Sequence, residues 1–209
     1  MNPAQHHIIK DAGETIGLLL QAAFKDNGYK RVHLIVGAPK QDAIEGKLPA
    51  LNVYLFNILI DEEGITGNRG RQYIETEIGP DGKPVELIRE GPITVRLEYL
   101  ISTWAQTPEE EQLLMGAAIK ALIENQVISG ANLKGNSFAV ADYLPITLVQ
   151  KLDEGVLSRF WASLSQPFKP ALQVMTTVLI YPSGGQTFQR VQEKDVRFFD
   201  LSKISQRRR

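Results

Sequence analysis

Apolar and polar side chains alternate along Ile93–Ser102. Ile93, Val95, Leu97, Tyr99 and Ile101 fall on one face, and Thr94, Arg96, Glu98 and Ser102 on the other. That two-residue period predicts a strand with one face buried. The pattern then changes without a gap. Thr107 is suited to an N-cap that accepts from the free amide of Glu110, Pro108 suits the first helical position, and Glu109, Glu110 and Glu111 meet the positive end of the helix dipole. Beyond them Leu113, Leu114, Ala117, Ala118, Ala121 and Leu122 recur at helical spacing and supply a buried stripe. An earlier amphipathic helix is marked by Ile8, Ile9, Ala12, Ile16, Leu19, Leu20 and Ala23, and Asp26, Asn27 and Gly28 should stop it.

Between these helices, Val32–Val36 reads as a short strand and Gly37–Lys47 as a loop. Leu51–Ile60 reads as a strand apolar on both faces, hence central in its sheet. Glu62–Gln72 is a polar, glycine-containing loop. Tyr73–Ile78 and Val85–Arg89 flank a Pro80-Asp81-Gly82 turn, which predicts a hairpin. After the second long helix, Gln126–Tyr143 is weakly patterned. A segment Ile146–Leu152, a short helix near Val156–Leu164 and an apolar strand over Ala171–Tyr181 follow. Past Pro182-Ser183-Gly184-Gly185 the chain turns polar, with Thr187–Phe199 as one further strand and Ser202–Arg209 as an unpacked tail. The whole predicts an α/β (α+β) fold: a mixed, largely antiparallel sheet with packed helices. Residues 1–183 form one domain and 184–209 a C-terminal arm or tail.

With 209 residues, 43% hydrophobic and 22% charged, the chain has the length and composition to bury a real core. A formal net charge of -1 provides no global field toward nucleic acid or an anionic membrane. The absence of cysteine excludes disulfides and thiolate ligands. No basic segment leads into an apolar one after Met1, so no signal peptide is expected, and no apolar run approaches the roughly 20 residues of a membrane helix. Assembly in the cytoplasm is the expectation, with any extracellular role reached by another export route such as lysis.

Catalytic signatures are absent. There is no Walker-type phosphate loop, no Gly-x-Gly-x-x-Gly after a strand, no His-Glu-x-x-His and no Gly-x-Ser-x-Gly elbow. Val36-Gly37-Ala38-Pro39-Lys40 follows a strand, yet Pro39 and the lack of a second glycine and a hydroxyl beside Lys40 make it a plain turn. Adjacent His6 and His7 would diverge by about 100° on a helix, a poor chelating geometry. His33, amid Val32, Leu34, Ile35 and Val36, reads as an edge or outward-facing residue. The first-turn position of Glu109–Glu111 accounts for them without acid–base chemistry. Trp104 and Trp161 fit core packing better than interface anchors. No catalytic residue, metal site or cofactor is assigned.

Several segments together resemble a known family. They are Leu51-Asn52-Val53-Tyr54-Leu55-Phe56, the Leu97–Trp104 core of Gly91–Ala105, the Glu-rich helix start with its Leu-Leu pair, and the Phe160-Trp161 helix leading through Pro167 and Pro170 into Ala171–Tyr181. The chain resembles, from about Ile9 to Pro182, the N-terminal domain of the cap, or tail-terminator, protein of extracellular contractile injection systems of the antifeeding-prophage and virulence-cassette type. The resemblance implies a homohexameric ring seated on the last ring of an inner tube protein, partnered by the sheath protein, that stops polymerisation and catalyses nothing. Other readings are a tail-completion or connector protein of the same particle, and a small-molecule-binding or hydrolytic domain built from scattered residues. Relatives often carry an Arg-containing stretch after the Tyr-Leu strand; here Arg69 and Arg71 occupy a longer loop and are candidate partner contacts.

The last residues carry the other candidate contacts. Val191, Val196, Phe198, Phe199 and Leu201 are apolar within a charged segment, and Arg207, Arg208 and Arg209 follow. A nucleic-acid arm would need a longer basic stretch with interleaved aromatics. A disordered end is one reading. Strand donation by Thr187–Phe199 to a sheath subunit is the other, with the three arginines adding a salt-sensitive attraction to an acidic partner.

Overall fold

The computed structural model describes residues 5–29, 31–60, 72–80, 82, 84–139, 142–149, 154–182 and 185–188. Its centre is the alternating segment: β5, Ile93–Trp104, is the middle strand of a five-stranded sheet. β5 pairs antiparallel with β2 (Ala50–Ile60) on one side and with β9 (Leu172–Ile180) on the other. β1 (His33–Val36) adds to β2 in parallel, and the two-residue β8 (Thr147–Leu148) closes the far edge against β9. The sheet is therefore mixed and mainly antiparallel, as the sequence predicts.

Two helices cover one face of this sheet. α1 spans Ile8–Asp26 and ends at Asn27, whose amide bonds back into the last turn; Gly28 follows at φ 92°. Between β1 and β2, Gln41–Ile44 forms a single-turn helix, α2, inside the stretch expected as loop. α3 spans Pro108–Glu124, and its cap is the expected one: the Thr107 hydroxyl accepts from the Glu110 amide at 3.2 Å. Ile16, Leu20 and Phe24 of α1 and Leu114, Ala118 and Leu122 of α3 meet Leu51, Val53, Leu97, Tyr99, Ile101 and Val174 of the sheet in one buried cluster. Covering that much apolar area is the main stabilisation available to the fold.

Among the described residues, the opposite face is covered near the Trp104 end. There α4, Glu154–Ser163, packs Leu157 and Trp161 on Leu100, while Phe160 stacks on Tyr54 with centroids 5.3 Å apart. This explains the two-sided apolar character of β2. Leu51 and Val53 face α1 and α3, and Tyr54 and Phe56 face α4. β2 is not the central strand, however; it lies between the short β1 and β5. Its register shifts between Leu55 and Asn57, leaving Phe56 as the extra residue of a bulge.

β3 (Gln72–Ile78) and β4 (Pro84–Glu90) form the expected hairpin, and the Gly82 amide returns to the Gly79 carbonyl at 2.9 Å; Asp81 of the expected turn lies outside the described residues. A tenth strand, β10 (Gly185–Phe188), adds antiparallel to β4, so the order is β10-β4-β3. In the weakly patterned stretch, β6 (Val127–Ser129) pairs with β7 (Tyr143–Pro145).

Candidate assembly surfaces

The sequence places its candidate contacts in two segments. Arg69 and Arg71 lie between β2 and β3, and Val191, Phe198, Phe199, Arg207, Arg208 and Arg209 lie beyond β10; all eight are outside the described residues. Of the expected strand Thr187–Phe199, Thr187 and Phe188 pair with Leu87 and Glu86 of β4, and the strand begins two residues earlier, at Gly185. The remainder of that expected strand, like the unpacked tail, lies outside the described residues.

The other singled-out residues have structural places. Trp161 is fully buried and Trp104 half-buried, with their rings edge-to-face at 5.9 Å. His33 is exposed on the edge strand β1, and the turn after Val36 leads into α2. Of the three first-turn glutamates, Glu111 has a second task that the helix dipole does not account for. Its carboxylate accepts from the Ala105 amide at 3.2 Å and pairs with Lys169 Nζ, which also sits 4.3 Å from the centroid of the Trp104 ring. The Thr103 hydroxyl donates to the Glu111 carbonyl at 2.9 Å. Together these bonds fix the start of α3 to the end of β5 and to the approach to β9. No group of three or more His, Asp or Glu side chains suited to a metal ion occurs among the described residues. None of their helices is long and apolar enough to cross a membrane.

The described surface also displays large apolar side chains. β2 runs on past the end of β1, and its last residues Ile58, Leu59 and Ile60 are 48%, 41% and 56% exposed. The outer side of α3 and the β6–β7 ribbon show Leu113, Ile123, Val127 and Tyr143. Ile74 and Ile78 stand exposed on β3, the edge strand of the smaller sheet. On the other face of that sheet Arg89 of β4 is buried beneath Glu75 and Glu77 of β3, both of which it pairs with. Among the described residues, the smaller sheet contributes no side chain to the buried clusters of the domain. It is a wing carried by the domain rather than a layer of its core.

Comparison with known proteins gives that surface a context. The family described as the Pvc16 N-terminal domain matches residues 11–193. This chain belongs to that family. No curated protein matches it. Among solved structures, it is similar to the sheath/tube terminator of PVC, an extracellular contractile injection system, in the extended state. The two share 19% identity with a TM-score of 0.61, over 94% of this chain and 66% of that one. It is also similar to the tube-terminating cap of the anti-feeding prophage, at 20% identity and a TM-score of 0.58, over 81% of this chain and 55% of that one. The chain thus spans just under two thirds of the first neighbour and little more than half of the second. The family expected from Leu51–Phe56, Leu97–Trp104 and the Phe160-Trp161 helix is the family found.

Proposed function

We propose that this chain is the structural cap that ends the inner tube of a phage-tail-like contractile injection particle and anchors its sheath, and that it acts by binding rather than by catalysis. The observation that carries this reading is membership of the Pvc16 N-terminal domain family over residues 11–193, joined to the shared fold of two tube terminators. In this reading the partners are further copies of the chain, the tube protein and the sheath protein. Head-to-tail contacts between copies close into a ring when the rotation between neighbours is right, and six copies would match a hexameric tube. Seated on the last tube ring, such a cap ends growth if its outward face lacks the surface that recruits the next tube subunit. The exposed apolar residues on β2, β3 and α3 suit contacts of this kind. Particle assembly in the cytoplasm, followed by release, is consistent with a role outside the cell.

Removing the gene and measuring tube and sheath lengths by electron microscopy tests the reading. Overlong or unstable tubes, restored to normal length by supplying the chain, are expected. Particles of unchanged length and contraction behaviour would contradict it.

A further inference from the structure

The wing has two different edges. At one edge lies β10, whose last described residue, Phe188, leads into residues 189–209. At the other lies β3, a seven-residue strand whose outer side has no partner strand among the described residues. Open edges of this length are templates for further pairing, and monomeric proteins usually blunt them with charged side chains, lysine above all, with proline or with a bulge; the two charges of β3, Glu75 and Glu77, are neutralised by Arg89 of its own sheet. Gln72–Ile78 contains neither lysine nor proline and pairs with β4 without a register shift. Its alternate residues Ile74 and Ile78, on the face away from the Arg89 ion pairs, are 54% and 81% exposed. Among the described residues no second layer covers the apolar side of these three strands, and a sheet this small is stabilised by whatever covers that side.

Charge selects the occupant. Residues 72–90 hold five acidic and two basic side chains, whereas residues 189–209 hold seven basic and three acidic ones. Val191, Val196, Phe198, Phe199, Leu201 and Ile204 give that basic segment apolar side chains to bury. We infer that the β3 edge of one copy receives residues 189–209 of a second copy as an added strand. This rests on the ring proposed above and assigns it a linkage. A sheet whose donating and accepting edges differ is joined head-to-tail, which is the arrangement that closes rings. Delivery to the same chain's β3 edge is less direct. The added strand would lie three strand spacings, about 14 Å, from β10, so the segment would have to double back across its own sheet. Backbone pairing supplies the attachment, and the apolar side chains and opposite charges supply the fit. Sheath attachment, expected for this arm from the sequence, becomes the competing outcome.

Ile78 is exposed enough to carry a photoreactive benzoylphenylalanine in the full chain without disturbing the core. After illumination of capped particles, denaturing gels and peptide mapping read which polypeptide the residue reaches. The expected result is a product of twice the chain mass, with residue 78 joined to a peptide from 189–209. A link to that peptide at single-chain mass would show that the arm folds onto its own wing and would overturn the exchange. So would a link to the sheath protein, or no link to 189–209. Imaging the same particles scores the ring separately: a ring without the link overturns only the exchange, and no ring overturns both.

Discussion

The buried carboxylate of Asp11 accepts the Ser137 hydroxyl at 2.6 Å, joining α1 to a loop 126 residues away in sequence. The Ser137 amide adds a second bond to the same oxygen at 3.2 Å. One turn on, the Thr15 hydroxyl donates to the Asp11 carbonyl at 2.7 Å and accepts from the Lys134 amide at 3.0 Å. The segment between β6 and β7 is thereby held on α1 by polar groups as well as by Leu133 and Phe138, which pack against the main apolar cluster. Replacing Asp11 with alanine leaves two buried donors unpaired and should cost about 2–3 kcal/mol. The expected sign is a lower urea midpoint at unchanged slope, and an unchanged midpoint would refute the role given to this contact.

Gly135 sits in the same loop at φ +87°, and a Cβ there would lie 2.0 Å from Asp11 Oδ2. Gly135→Ala should therefore destabilise, through both backbone strain and the clash. Gly116, in the middle of α3, meets nothing within 4 Å of the corresponding position. Gly116→Ala should raise stability by about 1 kcal/mol, the usual difference in helix propensity. Thermal unfolding of the two variants should move in opposite directions. Movement in the same direction would sink the comparison.

Tyr99 gives the fold a weakness in alkali. Burial raises the pKa of its phenol above the ordinary tyrosine value of about 10, because the charged form would lose its water. Its hydroxyl donates to the Ile9 carbonyl at 3.3 Å. The folded state thus holds a proton that the unfolded chain releases above about pH 10. The contribution is complete below that pH and is lost as pH rises above it, at about 1.4 kcal/mol per pH unit. Urea unfolding at pH 9 and pH 11, compared with Tyr99→Phe, isolates this group from the lysines. The phenylalanine variant should lose less stability between the two pH values; equal losses would contradict the assignment.

Much of the fold was legible because its long elements repeat one pattern. The period of Ile93–Ile101 marks a long strand, though its central place in the sheet was expected for Leu51–Ile60 instead, and Thr107-Pro108 followed by three glutamates marks the start of α3. Even the hairpin turn is written in Pro80-Asp81-Gly82. The Asp11 network was not legible, since an aspartate within an amphipathic helix looks solvated until Ser137 arrives from a distant loop. Nor was the second role of Glu111, whose partners Ala105 and Lys169 come from two other segments. The short α2, β6 and β8 escaped because a few residues carry too little periodicity to read. The family was legible through its motifs, whereas the candidate contacts at Arg69, Arg71 and beyond β10 lie outside the described residues. Interface residues obey no local period, and Ile74 and Ile78 become notable only once β3 is seen at an open edge.

The central claim is that copies of this chain close the end of the tube, and imaging the cap end of assembled particles at subunit resolution tests it most directly. The expected result is a closed ring of copies, six on a hexameric tube, each placing its five-stranded domain against its neighbours on the last tube ring. A single copy at that end, or tubes that end normally with no copy present, would contradict it.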